Sequence, residues 1–292
     1  CLADVAMRNM IGKVFISAVA VVAVIVVVCF MCAKTSPSPT TGRLSVSPKD
    51  VLVYAGEGTS RLCVKETLAC FRQYMSNDYN FREASAKYLS EGDWISTTSM
   101  IIIPGGRASP YAKDLSPTAT GHIRNFVEAG GVFIGIGAGG YFAAKSLEFA
   151  KGSADEICCS HDLEFFDGVA IGPLVTYDYL SRAGASAMKI VPDWDLTSST
   201  TLYYNGGAYF QLSSNDESTR ILARYEQQSD RAAIVLVKVG KGKALLSGVH
   251  FEFDPESAFP DEPEGKPLVN ELRQHDQHRR AFVQELLKRV GF

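Results

Sequence analysis

Two periodicities alternate along the first half of this chain. Val51-Leu52-Val53-Tyr54-Ala55, Met100-Ile101-Ile102-Ile103 and Val132-Phe133-Ile134-Gly135-Ile136 are short apolar runs without polar alternation. Such runs predict strands covered on both faces, as in a parallel sheet. Between them, Val64, Leu68 and Phe71, and then Ile123, Phe126 and Val127, recur at helical spacing and predict amphipathic helices. The alternation predicts a doubly wound, mostly parallel α/β sheet, which binds ligands beyond the carboxyl ends of its strands. Three glycine-bearing turns leave strands at those ends: Gly56-Glu57-Gly58, Pro104-Gly105-Gly106-Arg107, and the turn that follows Ile136. They are expected to converge on one crevice.

The second half is richer in predicted strands, at Ala187 to Val191, Thr201 to Tyr204, Ile221 to Tyr225, Ala232 to Val239 and Ala244 to Val249. The last two flank Gly240-Lys241-Gly242-Lys243, which predicts a hairpin turn. A closing amphipathic helix is expected from about Leu268 to Val290, with Leu272, Phe282, Leu286 and Val290 toward the core.

A different pattern precedes residue 50. Val14 to Ala33 carries no charge, is dominated by Val, Ala and Ile, and is bracketed by Lys13 and Lys34. A stretch of about 20 apolar residues matches the hydrocarbon thickness of a bilayer. It exceeds the roughly 7–15 apolar residues of a signal-peptide core, and Phe30-Met31-Cys32-Ala33 makes a poor cleavage site. An uncleaved single-pass anchor, with the lipid bilayer as partner, is therefore expected over a cleaved signal peptide. Arg8 and Lys13 on one side balance Lys34, Arg43 and Lys49 on the other, so the positive-inside rule does not select an orientation. Residues 1–13 read as a flank and residues 34–49, rich in Ser, Thr and Pro, as a flexible stalk. Residues 50–292 read as one domain.

Composition narrows the functions. The chain has 292 residues, 46% of them hydrophobic, enough for a full α/β core. A formal net charge of -3 without a basic run argues against nucleic-acid binding. Cys158 and Cys159 are adjacent, which is not the spacing of a metal site; they read as strand residues and are expected to be buried thiols, while Cys63 and Cys70 also fall within the domain. Cys29 and Cys32 fall in the apolar segment, where palmitoylation is open to them. No motif asks for a metal or cofactor.

The candidate chemistry lies in Gly135-Ile136-Gly137-Ala138-Gly139. A strand, a sharp turn and a helix in the pattern G-x-nucleophile-x-G form an elbow that aims one side chain upward. Here the aimed position is Gly137, which has no side chain. Glycine there also relieves backbone strain. Downstream, His250 and Glu252 stand two apart at the end of a predicted strand, where alternation puts them on one side. Taken alone, the pair reads rather as a surface His–Glu couple after a strand.

Five segments in order resemble a known family. They are Tyr54-Ala55-Gly56-Glu57-Gly58, Ile103-Pro104-Gly105-Gly106-Arg107, Gly135 to Phe142, Tyr204-Asn205-Gly206-Gly207, and Leu246 to Glu252. Together, over about residues 50 to 290, they are similar to the N-terminal domain of fungal-type biotin–protein ligases, which is related to the class I glutamine amidotransferases. The resemblance implies a flavodoxin-like fold and a Cys–His–Glu triad, with His250 and Glu252 at the His and Glu positions and Gly137 at that of the cysteine. Covalent amide chemistry by that route is then lost. Backbone N–H groups need no side chain, so Gly105, Gly106 and Ala138 are candidates for an oxyanion or ligand site, with Arg107, Tyr111, Tyr141 and Asn205 as candidate lining residues. No G-R-G-R-x-x-R-like adenylate loop occurs, so biotin ligation by this chain is not expected without a partner chain. The leading expectation is a membrane-anchored, catalytically degenerate amidotransferase-like domain that binds a small carboxylate or carbonyl ligand or a protein. The alternatives are a hydrolase in which His250 and Glu252 activate water, and an active cysteine-dependent member altered at position 137.

Overall fold

The computed structural model describes residues 50–178, 183–195, 198–214, 216–260 and 266–292. The expected flank, anchor and stalk, with Cys29 and Cys32, lie outside the described residues. Among the described residues no helix is long and apolar enough to cross a membrane.

Strands β1 (Asp50–Tyr54), β2 (Asn80–Ala84), β3 (Thr98–Ile103), β4 (Val132–Ile136) and β13 (Gly242–Ser247) pair in parallel in the order β2-β1-β3-β4-β13. This is the flavodoxin order, with the last strand supplied by a late part of the chain. The apolar runs found in the sequence supply β1, β3 and β4. The strand β2 reads Asn-Phe-Arg-Glu-Ala and lies mostly exposed at the sheet edge. With one neighbour and little to bury, it carries no apolar run to betray it.

The sheet has two packed faces because successive side chains of β1 point opposite ways. Val51 and Val53 pack with Val64, Leu68 and Phe71 of α1 (Arg61–Tyr74) and with Phe282 and Leu286 of α8 (Asp276–Val290). Leu52 and Tyr54 face Tyr111 of α3 (Ala108–Asp114) and Ile123 and Phe126 of α4 (Pro117–Glu128). Between β2 and β3 the chain forms the short α2 (Ala86–Glu91). Helices on both faces make the parallel block doubly wound.

Beyond β13 the sheet changes character. It continues antiparallel through β12 (Gln228–Val239), and the expected hairpin turns at Gly240 and Lys241. From β12 one branch runs through β10 (Tyr209–Leu212), β7 (Phe166–Gly172), β5 (Ala144–Phe149) and β6 (Ile157–Ser160). The other runs through β11 (Thr219–Tyr225), β8 (Ser186–Pro192) and β9 (Thr200–Tyr204). Among the described residues of this region, only β5 and β7 pair in parallel. Parallel pairing thus governs the block that carries the three turns, and the second half adds a mixed extension.

Two local expectations are corrected. The closing helix is two helices, α7 (Pro267–Gln274) and α8, broken at His275 (φ −103°, ψ 7°). Leu272 of α7 packs with Tyr203 and Phe253, whereas Phe282 and Leu286 of α8 pack on the main sheet. Two separate cores require two helix axes. Cys158 and Cys159 are exposed rather than buried, because β6 is an edge strand pairing only with β5. Cys63 and Cys70 are buried.

Candidate functional site

The elbow is built as the glycine pattern predicts. Strand β4 ends at Ile136, Gly137 takes φ 55° and ψ −111°, and α5 (Ala138–Phe142) begins at the next residue. That backbone combination lies outside the regions side-chain-bearing residues favour. It is held in place by the Gly137 N–H, which donates to Ser247 O at 2.8 Å, and by the Gly137 carbonyl, which accepts from the Gly140 and Tyr141 amides. Gly139 lets α5 approach β3 closely: a Cβ there would stand 1.9 Å from Ile103 O.

His250 reaches the same point from the far side. Strand β13 stops at Ser247, earlier than expected, and the chain bends so that the His250 N–H donates to Tyr203 O at 2.8 Å. His250 and Glu252 therefore sit on a turn rather than on an alternating strand. Their contact is nevertheless direct, with His250 Nδ1 2.8 Å from Glu252 Oε1. A carboxylate accepting there keeps the proton on Nδ1 and leaves Nε2 as the acceptor. Nε2 has no hydrogen-bond partner among the described residues. It faces the elbow: a Cβ on Gly137 would lie 3.2 Å from Nε2 and 3.3 Å from Cε1. Both side chains are buried, His250 at 5% and Glu252 at 1% exposure, so the pair is not a surface couple. Glu252 Oε2 is buried without a hydrogen-bond partner.

The turn that presents this pair is pinned by residues that carry no functional signal in the sequence. Arg279 of α8 is 2% exposed and donates to Phe251 O, Asp254 Oδ2 and Asp276 Oδ1. Phe253 lies with its ring centroid 4.8 Å from that of His250, and Tyr203 at 5.6 Å. Phe259, just after α6 (Pro255–Ala258), packs on Tyr203 and Phe253. These rings roof the imidazole. Helix α6 is clasped to α1 by Ser257 Oγ donating to Glu66 Oε2 at 2.6 Å and Lys65 Nζ donating to Ser257 O at 3.0 Å.

The Pro104-Gly105-Gly106 loop joins the site through Gly105, whose Cα is 3.7 Å from the Gly137 Cβ position. Tyr111 does not line a pocket; it is fully buried and donates to Pro104 O at 3.1 Å, fixing the loop from beneath. Gly106 packs its α-carbon against Gly58 and Tyr111 rather than facing Gly137. The Gly106 and Ala138 amides have no acceptor among the described residues. Arg107 is exposed at the N-terminal end of α3. Tyr141 is corrected from lining residue to clamp: it is 4% exposed and donates to Gly206 O at 3.1 Å, and burial pushes its hydroxyl well above the usual tyrosine range. Asn205 keeps a buried Oδ1 without a hydrogen-bond partner. Cys70, beneath the site, is pushed up by burial first and by the Glu252 carboxylate second, so it stays a thiol. Among the described residues no group of three or more His, Cys, Asp or Glu is arranged to hold a metal.

The parallel block and the elbow define an α/β domain of flavodoxin order in which a buried His–Glu pair faces a turn without a side chain. The family described as Biotin-protein ligase, N terminal, matches residues 49–292, and the chain belongs to it. It is similar to the biotin--protein ligase of Schizosaccharomyces pombe, 31% identical over 248 residues, which cover 83% of this chain and 38% of that one. The chain thus spans about two-fifths of that relative's length. An uncharacterized protein of Chlamydia muridarum is 29% identical over 245 residues, covering 82% of this chain and 94% of that one. Among solved structures, the GH42 β-galactosidase Gan42B aligns with a TM-score of 0.49 at 14% identity, over 84% of this chain and 30% of that one. That likeness is too distant to bear on function.

Proposed function

We propose that this domain is a catalytically degenerate amidotransferase-like module that binds a small carbonyl or carboxylate ligand between Gly105, Gly137 and His250. The observation that carries the reading is the 3.2 Å between His250 Nε2 and the Cβ position on Gly137. A base oriented by a buried carboxylate is aimed at the place a nucleophile occupies in a triad, and that place holds only glycine. Thiol attack from the elbow therefore has no reacting atom. Binding has an acceptor at Nε2 and, at the start of α5 beside Gly137, the unpaired amide of Ala138 as a donor.

Adding glutamine or acetamide is expected to shift the His250 ring resonances without releasing ammonia. Ammonia release that disappears in His250→Ala would overturn the binding reading and favour water activated by the His–Glu pair. Biotin ligation belongs to the longer Schizosaccharomyces pombe relative as a whole; in this reading the present domain contributes ligand recognition to such chemistry.

The same proposal includes an anchor at residues 14–33, supported by the uncharged apolar run between Lys13 and Lys34. Carbonate extraction of membranes carrying the full chain is expected to leave the protein in the pellet. Release into the supernatant would remove the anchor from the proposal.

A further inference from the structure

One end of the sheet is left unguarded. Among the described residues β6 pairs with β5 alone, so the outward backbone groups of Ile157–Ser160 have no ladder partner. All four residues are exposed, and none is charged or a proline. Edge strands are ordinarily guarded by charge, proline or a covering element, because unpaired N–H and C=O groups template a further strand. The other end of the sheet follows that rule, since β2 carries Arg82 and Glu83. Strand β6 instead carries Ile157, one of two exposed large hydrophobic side chains among the described residues, and the thiols of Cys158 and Cys159.

The side chains of this edge suit a second copy of the same strand. Ile157 and Cys159 stand opposite Phe149 and Leu147 of β5 and share the face of the core layer. Cys158 and Ser160 stand opposite Glu148 and Ser146 on the other face. Antiparallel pairing of identical strands about a twofold axis sets one residue opposite itself, because opposed residues must both turn their backbone groups inward or both outward. With Cys158 on the axis, Ile157 meets Cys159 of the second copy and Ser160 meets Glu156. No charge then opposes a like charge, and the apolar face of β5 and β6 continues into that of the second copy. With Cys159 on the axis, Ile157 would instead meet His161, which lies past the end of the strand with its ring buried.

We propose that two copies of this chain associate through β6, antiparallel about a twofold axis at Cys158, so that one sheet runs through both molecules. The two Cys158 α-carbons then stand about 4.5–5.5 Å apart on one face, inside the roughly 4.4–6.8 Å that a disulfide spans. The two Cys159 residues are diagonal neighbours about 7–8 Å apart, beyond that span. Cys158 of one copy and Cys159 of the other point to opposite faces. Four residues from each copy bury little area, so the association is weak and depends on concentration. It goes beyond the ligand-binding reading and stands without it.

The test is disulfide trapping of the full chain with oxidised glutathione at mildly alkaline pH, because desolvation and the hydrogen-bonded Glu156 carboxylate raise the Cys158 thiol. One Cys158 thiolate displaces glutathione from its disulfide, and the second copy's Cys158 then displaces the glutathione held on the first. Two protein thiols and one glutathione disulfide give one protein disulfide and two glutathione thiols. Peptide mapping is expected to find a link between the Cys158 residues of two copies that is lost in Cys158→Ser and kept in Cys159→Ser. Ile157→Lys adds a charge to the apolar side of the edge; it is expected to abolish the link while the variant still folds, since Ile157 is exposed. Sedimentation of the reduced wild type is expected to show a monomer–dimer equilibrium that Ile157→Lys shifts to monomer. No link at Cys158, or equal linking through Cys158 and Cys159, overturns the proposal. So does a dimer that Ile157→Lys leaves intact; if that variant does not fold, the comparison of Cys158→Ser with Cys159→Ser decides.

Discussion

Replacing Gly137 by Cys in a Cys63→Ser background is expected to produce a thiol alkylated at least about tenfold faster than Cys70, the order expected when a base is restored to a nucleophile. The new Cβ would stand 3.2 Å from His250 Nε2, so its sulfur, one bond further out, lies within reach of the imidazole. Cys70 is a fair reference because burial and the nearby Glu252 carboxylate hold it as an unreactive thiol. The substitution carries two costs. A side chain at φ 55°, ψ −111° is strained by about 1–3 kcal/mol, and the 3.2–3.3 Å contacts require the imidazole to shift slightly. A lower melting temperature should therefore accompany the gain in reactivity. If the thiol at position 137 reacts no faster than Cys70 in a folded variant, His250 does not serve the elbow and the proposed site is wrong. If glutamine hydrolysis also appears, one side chain separates this chamber from covalent amide chemistry.

The largest loss of stability is expected two residues further on. In Gly139→Ala the added methyl would lie 1.9 Å from Ile103 O and 2.8 Å from its carbonyl carbon. Both atoms are backbone of β3, a buried strand between β1 and β4, so neither can move without displacing the sheet. The cost should exceed about 4 kcal/mol, the exceptional range for a single substitution, against a total of about 5–15 kcal/mol for a domain. The variant is expected to be insoluble or to unfold at much lower urea concentration. Gly121→Ala is the control. Gly121 lies inside α4, and a Cβ there meets nothing within 4 Å, so the change should be neutral or stabilise by up to about 1 kcal/mol. Wild-type unfolding of Gly139→Ala would contradict the close approach of α5 to β3.

Much of the parallel block was legible because its strands are buried on both faces. Burial on both faces demands apolar runs, and those runs located β1, β3 and β4 along with the turns at their ends. Strand β2 and the exposed edge strand β6 make no such demand, so no apolar run marks the first, and nothing in the strand pattern of the second tells that its cysteines face solvent. The closing helix was read as continuous because helical spacing survives a break: Leu272 and Phe282 satisfy one pattern while packing on different cores. The expected His250–Glu252 contact is present on a turn instead of a strand, since a bend can bring residues two apart to the same side as well as a pleat does.

The sequence by itself located three of the five parallel strands, marked the glycine elbow and the His250–Glu252 pair, and pointed to the family to which the chain belongs. These are local properties, written in spacing and in the few residue types a sharp turn tolerates. The tertiary structure decided how the elements meet: that Gly105 rather than Gly106 faces Gly137, that Tyr111 and Tyr141 brace loops instead of lining a pocket, and that Phe253, Tyr203 and Phe259 cover the imidazole. It also brought Cys63 from α1 to within a few ångströms of His250, nearly two hundred positions later in the chain. No periodicity encodes that meeting, because it depends on two helices and two loops packing across the carboxyl end of one sheet.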